Sequence, residues 1–587
     1  MRQVISLDGQ WDFVADLDPK YHAVHGGFHK PDANRRHWLK VRVPGVWQKY
    51  AERYDVFEGV CWFAREFDVP ALPAGAAARL RFGAVNYLCR VFLNGREIGG
   101  HEGGYTPFSL DAAVALTPGT NHIAVQVDNR ATSIKWPPCL GYFNYGGIHR
   151  SVTLEITDGP CLDEVAIRAV PDPIGGRLFV RAAVAGARPG LKLRVESGGL
   201  SWEERVAGTG PFEFEVSFPD AGPWSPASPE LHQVRVALLE GEAETDGLSL
   251  NVGFRSIELR GGRILLNGRP LALKGVCYVY DSPEHGLVMT PGQVGADLAM
   301  IKEAGCNAVR CHYPMDPVFY DACDRLGLLV WIEPPIYCYH PGDSETGTRF
   351  SDPVWLELAI RMAREMVAEA RNHPCVAIYG IGNECNTRNP EAEPFFRALA
   401  AAVRAADPTR LLSYAALYGL VGPIANIVDV LGVNSYWGWY DRICGGKGLE
   451  PGTGDLSSAI GGQSAVKKEH IDLGPMRKML DEVLANRQNL ALLLTEFGAD
   501  SVSGFRSRSR DLWSEDYHAD LLSAVFSLAR DYPQIAGTFP FCFNDYRDPS
   551  KVHNGYWNEL NLKGMVDYGR NRKLAFAALK AVYGGGP

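Results

Sequence analysis

In the stretch Cys375-Val-Ala-Ile-Tyr-Gly-Ile-Gly-Asn383-Glu384-Cys-Asn386, a short apolar run is followed directly by Asn383 and Glu384. Its apolar run is too short for a helix and rich in β-forming residues, so it predicts a buried strand that ends at an amide and a carboxylic acid. A second apolar run, Leu490–Glu496, ends in another glutamate. Parallel strands that deliver polar side chains from their carboxyl ends are typical of a (β/α) barrel active site. Paired carboxylates are the groups that glycoside hydrolysis requires.

The sequence around these two strands continues the same pattern. From Ile264 onward, apolar runs alternate with amphipathic segments of helical period, which predicts a (β/α)8 TIM barrel over 258–587. The runs that we assign to its strands are Leu271–Val276, Asn307–His312, Leu328–Ile332, Val376–Asn383, Leu411–Ala415, Val428–Tyr436, Leu490–Glu496 and Gly537–Phe543. The predicted helices are Gln293–Glu303, Pro353–Arg371, Pro394–Ala405, Met476–Leu484, Ser514–Leu528 and Lys573–Val582.

The residues before the barrel show short alternating strands without any helical period. Turn signals such as Asn94-Gly95 separate these strands. Residues 1–165 therefore predict a β-sandwich of jelly-roll type, and the shorter segment 166–257 predicts an immunoglobulin-like β-sandwich. The chain is thus expected to be multidomain, with two sandwiches followed by the catalytic barrel.

Composition excludes several classes of function. The 587 residues are 46% hydrophobic and 22% charged, with a net charge of −9 and no basic run, so we expect no nucleic-acid partner. No segment reaches the roughly 20 apolar residues of a membrane span, and the N-terminus lacks a signal-peptide core, so a cytoplasmic protein is expected. The 13 cysteines form no CxxC pair and are expected to be reduced core residues. Oligomeric state, including a homo-oligomer, stays open.

Further polar residues lie at predicted strand ends. Arg310 and His312 are two residues apart and therefore point the same way from one strand. Both residues also have a purely structural interpretation. Arg310 could form a surface ion pair, and His312 could be a buried, hydrogen-bonded core residue. At the catalytic end of a barrel strand, an arginine would instead keep a nearby carboxylate ionised. The cluster from Asn434 to Tyr440 could stack on a sugar and donate a tyrosine hydroxyl to a carboxylate. No zinc-like spacing and no phosphate-binding loop occur, so neither metal nor cofactor is expected.

These motifs together resemble glycoside hydrolase family 2, and within it the β-glucuronidases, over nearly the whole chain. Arg310-Cys-His-Tyr-Pro314 with Gly327-Leu-Leu-Val-Trp-Ile332 is similar to the first family signature, and Arg371-Asn-His-Pro374 with Gly382-Asn383-Glu384 to the acid/base signature. The glucuronidase likeness also covers Phe143-Asn-Tyr-Gly-Gly-Ile-His-Arg-Ser151 and Tyr436-Trp-Gly-Trp-Tyr440. The resemblance implies that Glu384 is the acid/base and Glu496 the nucleophile.

The resemblance also implies the substrate-binding residues. Asn561 and Lys563 match the Asn-x-Lys motif by which glucuronidases hold the carboxylate of the sugar. The chain departs from the family after Lys274-Gly275, where it keeps only Asp281 of the usual run, and at Phe541, where a tryptophan is expected. Both departures fall in the implied sugar subsite. The full set of implied substrate-binding residues is Asp281, Arg310, His312, Asn383, Asn434, Tyr436, Tyr440, Phe541, Asn561 and Lys563.

The sequence therefore predicts a retaining exo-acting enzyme that hydrolyses terminal β-D-glucuronides. A β-galacturonidase or dual-specificity uronidase stays open as an alternative, because the two sugars differ only at the 4-hydroxyl. A β-galactosidase or β-mannosidase is disfavoured by the Asn-x-Lys motif. The alternative from another class is a carbohydrate-binding protein without activity, which the retained polar residues argue against. The expected partner is a small-molecule or oligosaccharide β-uronide.

Overall fold

In the computed structural model, residues 2–585 are described except 21, 23–26, 71, 73–75, 131–140, 209, 289, 339–348, 444–470, 486, 488–489, 552–555 and 557. The described chain forms two antiparallel β-sandwiches and a closed barrel of eight parallel strands. This order confirms the predicted fold class.

The first sandwich is built from short strands in two main sheets. Its strands are β1 (Gln3–Ser6), β2 (Gly9–Asp16), β3 (Leu39–Val43), β4 (Val60–Val69), β5 (Ala77–Phe82), β6 (Val85–Asn86), β7 (Leu88–Leu93), β8 (Arg96–Glu102), β9 (Phe108–Asp111), β10 (Gly119–Asp128), β11 (Gly147–Ile148) and β12 (Val152–Thr157). The sheets have the orders β1-β12-β5-β9 and β3-β2-β4-β10-β7-β8, and β6 pairs with β11. Short 3-10 helices cover Trp47–Lys49 and Glu52–Tyr54.

The second sandwich consists of a three-stranded sheet and a four-stranded sheet. Its strands are β13 (Cys161–Asp172), β14 (Gly175–Ala185), β15 (Leu191–Ser197), β16 (Leu200–Arg205), β17 (Phe212–Pro219), β18 (His232–Glu240) and β19 (Ala243–Val252). The sheet orders are β13-β14-β17 and β16-β15-β18-β19, which fits the immunoglobulin-like prediction. The predicted boundary at residue 165 falls within β13, so the change of sheet lies between Thr157 and Cys161.

The barrel follows a small antiparallel sheet. That sheet contains β20 (Ile257–Arg260), β21 (Arg263–Leu266) and β22 (Arg269–Pro270). The barrel strands are β23 (Leu273–Cys277), β24 (Ala308–Cys311), β25 (Leu329–Ile332), β26 (Val376–Asn383), β27 (Leu411–Leu417), β28 (Val430–Asn434), β29 (Ala491–Glu496) and β30 (Ile535–Thr538). β30 closes the ring on β23, and the hairpin of β31 (Tyr546–Arg547) and β32 (Leu560–Asn561) follows.

Helices lie between most of the barrel strands. The α-helices are α1 (Pro291–Glu303), α2 (Pro317–Leu326), α3 (Pro353–Ala370), α4 (Ala392–Ala406), α5 (Tyr440–Ile443), α6 (Gly474–Leu484), α7 (Glu515–Arg530) and α8 (Leu574–Gly584). Two 3-10 helices cover Arg349–Ser351 and Gly422–Asn426. Thr290, Asp316 and Asp352 cap α1, α2 and α3, and each is followed by a proline in the first helical turn.

The eighth strand differs most from its prediction, which was Gly537–Phe543. The regular strand β30 ends at Thr538, although Phe539 N–H still donates to the Leu494 carbonyl at 2.7 Å and the Pro540 carbonyl accepts from Cys277 N–H at 3.1 Å. Pro540 explains the difference, because proline offers no N–H for a sheet hydrogen bond. Helix α2 and the sheet β20-β21-β22 were not predicted.

Each folding unit has its own apolar core, and one further cluster joins two of them. Tyr105 and Tyr145 of the first sandwich pack with Tyr313 and Tyr337 of the barrel, and the rings of Tyr105 and Tyr313 stack at 4.0 Å. The first sandwich is therefore fixed against the carboxyl-terminal side of the barrel strands. Of the helices that the structure describes, none has both the length and the apolar character needed to cross a bilayer.

Candidate active site

The barrel brings the predicted polar side chains to one end. Arg310 lies in β24, Asn383 ends β26, Asn434 ends β28 and Glu496 ends β29. Glu384 directly follows β26, in a left-handed backbone conformation with φ of 51°. Its N–H donates to the carbonyl of Ala415 at 2.9 Å, which holds this turn in place. The carboxyl ends of neighbouring parallel strands thus gather two carboxylates with their amide and cationic partners.

Glu496 is a buried carboxylate with three donors. The Arg310 Nη1 atom lies 2.8 Å from Oε1, and the Tyr436 hydroxyl donates to Oε2 at 2.8 Å. The Nε2 atom of His312 lies 3.4 Å from Oε1. Burial alone raises a carboxyl pKa, but the His312 hydrogen bond and the positive charge of Arg310 outweigh it and lower the pKa of Glu496 to about 2. Glu496 is therefore ionised at neutral pH.

Glu384 has the opposite environment. Its Oε1 atom accepts a 2.7 Å bond from Asn434 Nδ2, and its Oε2 atom lies 3.6 Å from the Cys338 thiol. Burial, followed by the negative charge of Glu496, raises the pKa of Glu384 to about 7. Glu384 can therefore carry a proton under conditions in which Glu496 does not.

A third buried carboxylate, Glu333, was not predicted. It follows β25 directly, and its Oε1 atom accepts from Arg310 Nη2 at 2.9 Å and from His312 Nδ1 at 2.6 Å. Glu333 therefore fixes two of the three residues that contact Glu496, Arg310 and His312. The signal was present in the sequence, because Glu333 also ends an apolar strand, as the two predicted glutamates do.

The two asparagines connect the glutamates. Asn383 Oδ1 accepts from Arg310 Nη2 at 2.7 Å and from Asn434 Nδ2 at 2.9 Å. Because the oxygen accepts both bonds, the Asn383 amide nitrogen is left as a donor, and no described residue accepts from it. Asn434 is fully buried, and its Oδ1 accepts from Thr495 at 2.6 Å. Asn434 thus bonds to both Asn383 and Glu384, and a role of either asparagine in substrate binding stays a prediction.

Lys563, one of the two predicted carboxylate-binding residues, lies beside Tyr436 and Tyr440. Lys563 Nζ is 2.9 Å from the Tyr440 hydroxyl and 5.4 Å from the centre of the Tyr436 ring. It also forms a buried ion pair of 2.5 Å with Asp500. The amide of Asn561 donates to Asp548 Oδ2 at 3.3 Å. Sequence reasoning missed the ion pair of Lys563, because nothing in the Asn-x-Lys motif indicates a carboxylate partner from the segment after β29.

The two remaining predicted residues, Phe541 and Asp281, lie in different surroundings from each other. The centre of the Phe541 ring lies 6.2 Å from the centre of the His312 ring and 6.5 Å from the centre of the Tyr436 ring. Asp281 is not brought to the glutamates by any described contact. Its oxygens accept from the hydroxyls of Tyr145 and Tyr568 and from the N–H of Arg547. A role for Asp281 in substrate binding stays a prediction.

The first sandwich contributes Tyr142, which was not predicted. Its ring stacks on Tyr546 at 5.3 Å and contacts His312 edge-on at 5.6 Å. Among the described residues, none lies within hydrogen-bond distance of the Tyr142 hydroxyl. After burial, the charge of Glu496 is the main cause that raises the pKa of Tyr142. Tyr142 therefore lies within the electrostatic field of the site and offers it a neutral donor.

The described residues contain one group with the spacing of metal ligands, Asp321, Asp324 and His373. Asp324 already accepts from His373 Nδ1 at 2.7 Å and from the N–H of Cys375 at 2.9 Å. His373 precedes β26, so this group lies at the opposite end of the strand from Glu384. It forms no part of the candidate active site.

The chain matches two family models. The model described as "Glycosyl hydrolases family 2, TIM barrel domain" matches residues 257–585, and "Glycosyl hydrolases family 2, sugar binding domain" matches residues 51–158. A protein of Paenibacillus borealis named beta-glucuronidase is 25% identical over 632 residues, which cover 99% of this chain and 97% of that protein.

Two solved structures are similar over the whole chain. A GH2 beta-galacturonidase from Eisenbergiella tayi bound to galacturonate is 25% identical, covers 100% of this chain and 98% of its own, and has a TM-score of 0.82. Ruminococcus gnavus beta-glucuronidase is 24% identical with a TM-score of 0.86, covering 100% of this chain and 98% of its own, a likeness that shows the fold.

Proposed function

From the premise that this chain belongs to glycosyl hydrolase family 2, we propose that it is a retaining exo-acting β-glycosidase that hydrolyses terminal β-D-glucuronides. The observation that carries the proposal is a pair of buried carboxyl groups with opposite surroundings at one barrel end, because Glu496 is bonded to Arg310 and Glu384 is bonded to the neutral amide of Asn434. Arg310 and His312 hold Glu496 ionised, whereas burial and Glu496 itself raise the pKa of Glu384 to about 7. A nucleophile and an acid with separated pKa values are what a retaining mechanism needs.

In the first step, a carboxylate oxygen of Glu496 forms a bond to the anomeric carbon. The bond from that carbon to the leaving oxygen breaks, and Glu384 gives its proton to the leaving oxygen. In the second step, Glu384 takes a proton from water, whose oxygen attacks the anomeric carbon and displaces Glu496. Two inversions leave the β-configuration unchanged.

The surrounding residues support these two steps. The amide nitrogen of Asn383 is proposed to hold the 2-hydroxyl, where hydrogen bonds strengthen in the transition state. Tyr436 and Arg310 hold Glu496 by one oxygen each, which fixes the direction of attack. Asn434 orients Glu384 through a 2.7 Å bond.

The proposed substrate class has separate support. Lys563, bonded to the Tyr440 hydroxyl beside Tyr436, offers a cation for the C6 carboxylate of a uronide. The Paenibacillus borealis relative is named a beta-glucuronidase. A β-galacturonidase is the second candidate, because the similar Eisenbergiella tayi structure holds galacturonate. The buried free cysteines fit a reducing compartment, so we propose the cytoplasm as the location.

A panel of 4-nitrophenyl β-glycosides tests the proposal. Purified protein should release nitrophenol from the β-glucuronide, and the β-galacturonide tests the second candidate. Rates on the β-galactoside and β-mannoside should be much lower, because a neutral sugar does not use Lys563. Hydrolysis of the neutral glycosides alone would contradict the uronide assignment. No hydrolysis of any member would favour a carbohydrate-binding protein.

A further inference from the structure

Two buried lysines share one tyrosine hydroxyl beside the candidate active site. Lys551 lies between β31 and β32, and Lys563 follows β32. The Nζ atoms of both residues lie 2.9 Å from the Tyr440 hydroxyl oxygen. Lys551 is 6% exposed and Lys563 1%, so both ammonium groups are inside the protein. Burying two like charges at one oxygen atom is costly unless anions compensate for them.

The hydroxyl of Tyr440 is left with one hydrogen to donate. A phenol oxygen accepts through its lone pairs and donates a single hydrogen, and an ammonium group can only donate. Because Lys551 and Lys563 both donate to this oxygen, its own hydrogen points elsewhere. No described residue accepts it. Three donor groups therefore meet at one point, which suits a ligand with two acceptor oxygens.

Among the described residues, the buried positive charges around this point are matched by buried negative charges. Asp500 pairs with Lys563 at 2.5 Å. Burial lowers the pKa of Lys551, but Tyr440, Asp500 and Asp548 outweigh it and hold that pKa above its ordinary value. Two cations thus face two buried aspartates. Loss of either lysine would leave a negative surplus, which repels an incoming carboxylate.

Two tyrosine rings connect the two lysines with Glu496. The Tyr440 ring packs edge-on against the Tyr436 ring at 5.2 Å, and the Tyr436 hydroxyl is bonded to Glu496. A pyranose with its anomeric carbon at Glu496 would extend along Tyr436 toward these donors.

We propose that Lys551 is a second cationic residue for the C6 carboxylate, which binds between Lys551 and Lys563 with the Tyr440 hydroxyl as a third donor. This role rests on the proposed uronidase function. It makes Lys551 a specificity-determining residue supplied by the β31–β32 loop, outside the Asn-x-Lys motif.

The test compares Lys551→Met with the wild type on two substrates. Methionine keeps much of the side-chain volume and removes the charge. The kcat/KM for the 4-nitrophenyl β-uronide should fall about tenfold to a hundredfold, as for a lost charge-assisted hydrogen bond. The kcat/KM for the matching neutral glycoside should change less than about threefold. Lys551→Arg should retain more uronide activity than Lys551→Met, because it retains the charge.

Lys580→Met is the matched control. Lys580 is half-exposed on α8 and pairs with Glu303 at 3.0 Å, so its loss removes one positive charge away from the site. It should leave both rates unchanged. Thermal melting of every variant reports whether the fold is kept.

The outcomes separate the two proposals. If the wild type hydrolyses no uronide, the proposed function fails. If the wild type hydrolyses uronides and Lys551→Met does so equally well, the role of Lys551 is overturned while the function stands. Equal losses on both substrates with a lower melting temperature would also overturn it, since they indicate a structural role.

Discussion

Arg310 and Glu496 form a buried ion pair, with Nη1 2.8 Å from Oε1. The second terminal nitrogen of Arg310 is bonded to Glu333 and to Asn383, which holds the guanidinium beside Glu496. Buried ion pairs add little net stability on average. Removing only one partner is costly, because the other charge stays buried without compensation. The pair is better understood as a device that keeps Glu496 ionised and in place.

The pH dependence of kcat/KM should follow the two glutamates. Glu496 must be ionised and Glu384 protonated, and their pKa values lie at about 2 and about 7. Activity should therefore fall as pH rises through about 7, because Glu384 loses the proton that it must donate. Initial rates at low substrate concentration from pH 4 to 9 measure this. A descending limb that persists unchanged in Glu384→Ala would show that it belongs to another group.

The effect of Glu384→Ala on the rate should depend on the leaving group of the substrate. Glu384→Ala should reduce kcat/KM by roughly a hundredfold or more on alkyl and phenyl uronides, which need protonation, in line with the usual size of general acid catalysis. A 2,4-dinitrophenyl uronide needs little protonation and should react at nearly the wild-type rate in the first step. The measurement is the slope of log kcat/KM against leaving-group pKa in both proteins. Parallel slopes would argue against Glu384 as the acid.

Variants of Lys563 and Asp500 should separate the effect on protein stability from the effect on uronide hydrolysis. Lys563→Met leaves Asp500 as a buried charge without its cation and should cost about 3–5 kcal/mol in the free energy of unfolding. The double variant Lys563→Met/Asp500→Asn removes both charges and should recover much of that loss. Its kcat/KM for the uronide should stay low, because the cation is still missing. Denaturant unfolding and uronide kinetics of both variants measure the two effects, and recovery of activity together with stability would contradict a role in binding.

The first sandwich should contribute to substrate binding through Tyr142. Tyr142→Phe keeps the ring contacts with Tyr546 and His312 and removes only the hydroxyl. The kcat/KM for the uronide should fall roughly twofold to tenfold, as for one neutral hydrogen bond, with no change in melting temperature. Tyr532→Phe, which removes a hydroxyl bonded to Asp481 elsewhere on the barrel, is the control. Equal rates for Tyr142→Phe and the wild type would contradict the contact.

The barrel and its two glutamates were predictable because their signals are local. A buried strand that ends in a carboxylic acid is visible at Asn383-Glu384 and at Glu496, and the strand-end position carries over to the folded barrel. Glu333 has the same signal and could have been found. Its function is to fix Arg310 and His312, and no sequence spacing indicates that.

Contacts between distant segments were not predictable. Tyr142 and His312 are far apart in the sequence. The motif that resembles glucuronidase sequences begins at Phe143, and it does not indicate that the ring of Tyr142 contacts the barrel. The pairing of Lys563 with Asp500 depends on how the segment after β32 packs against the residues after β29. Such relationships follow from tertiary packing and have no periodic pattern in the chain.

Glu496 is proposed to form a covalent bond with the sugar, and a labelling experiment tests this bond. The protein is incubated with a 2-deoxy-2-fluoro β-uronosyl fluoride, digested and analysed by peptide mass spectrometry. We expect one added sugar on Glu496 with loss of activity, and no label in inactive Glu496→Gln. A label on Glu384, or a fully inactivated enzyme without any label on Glu496, would contradict it.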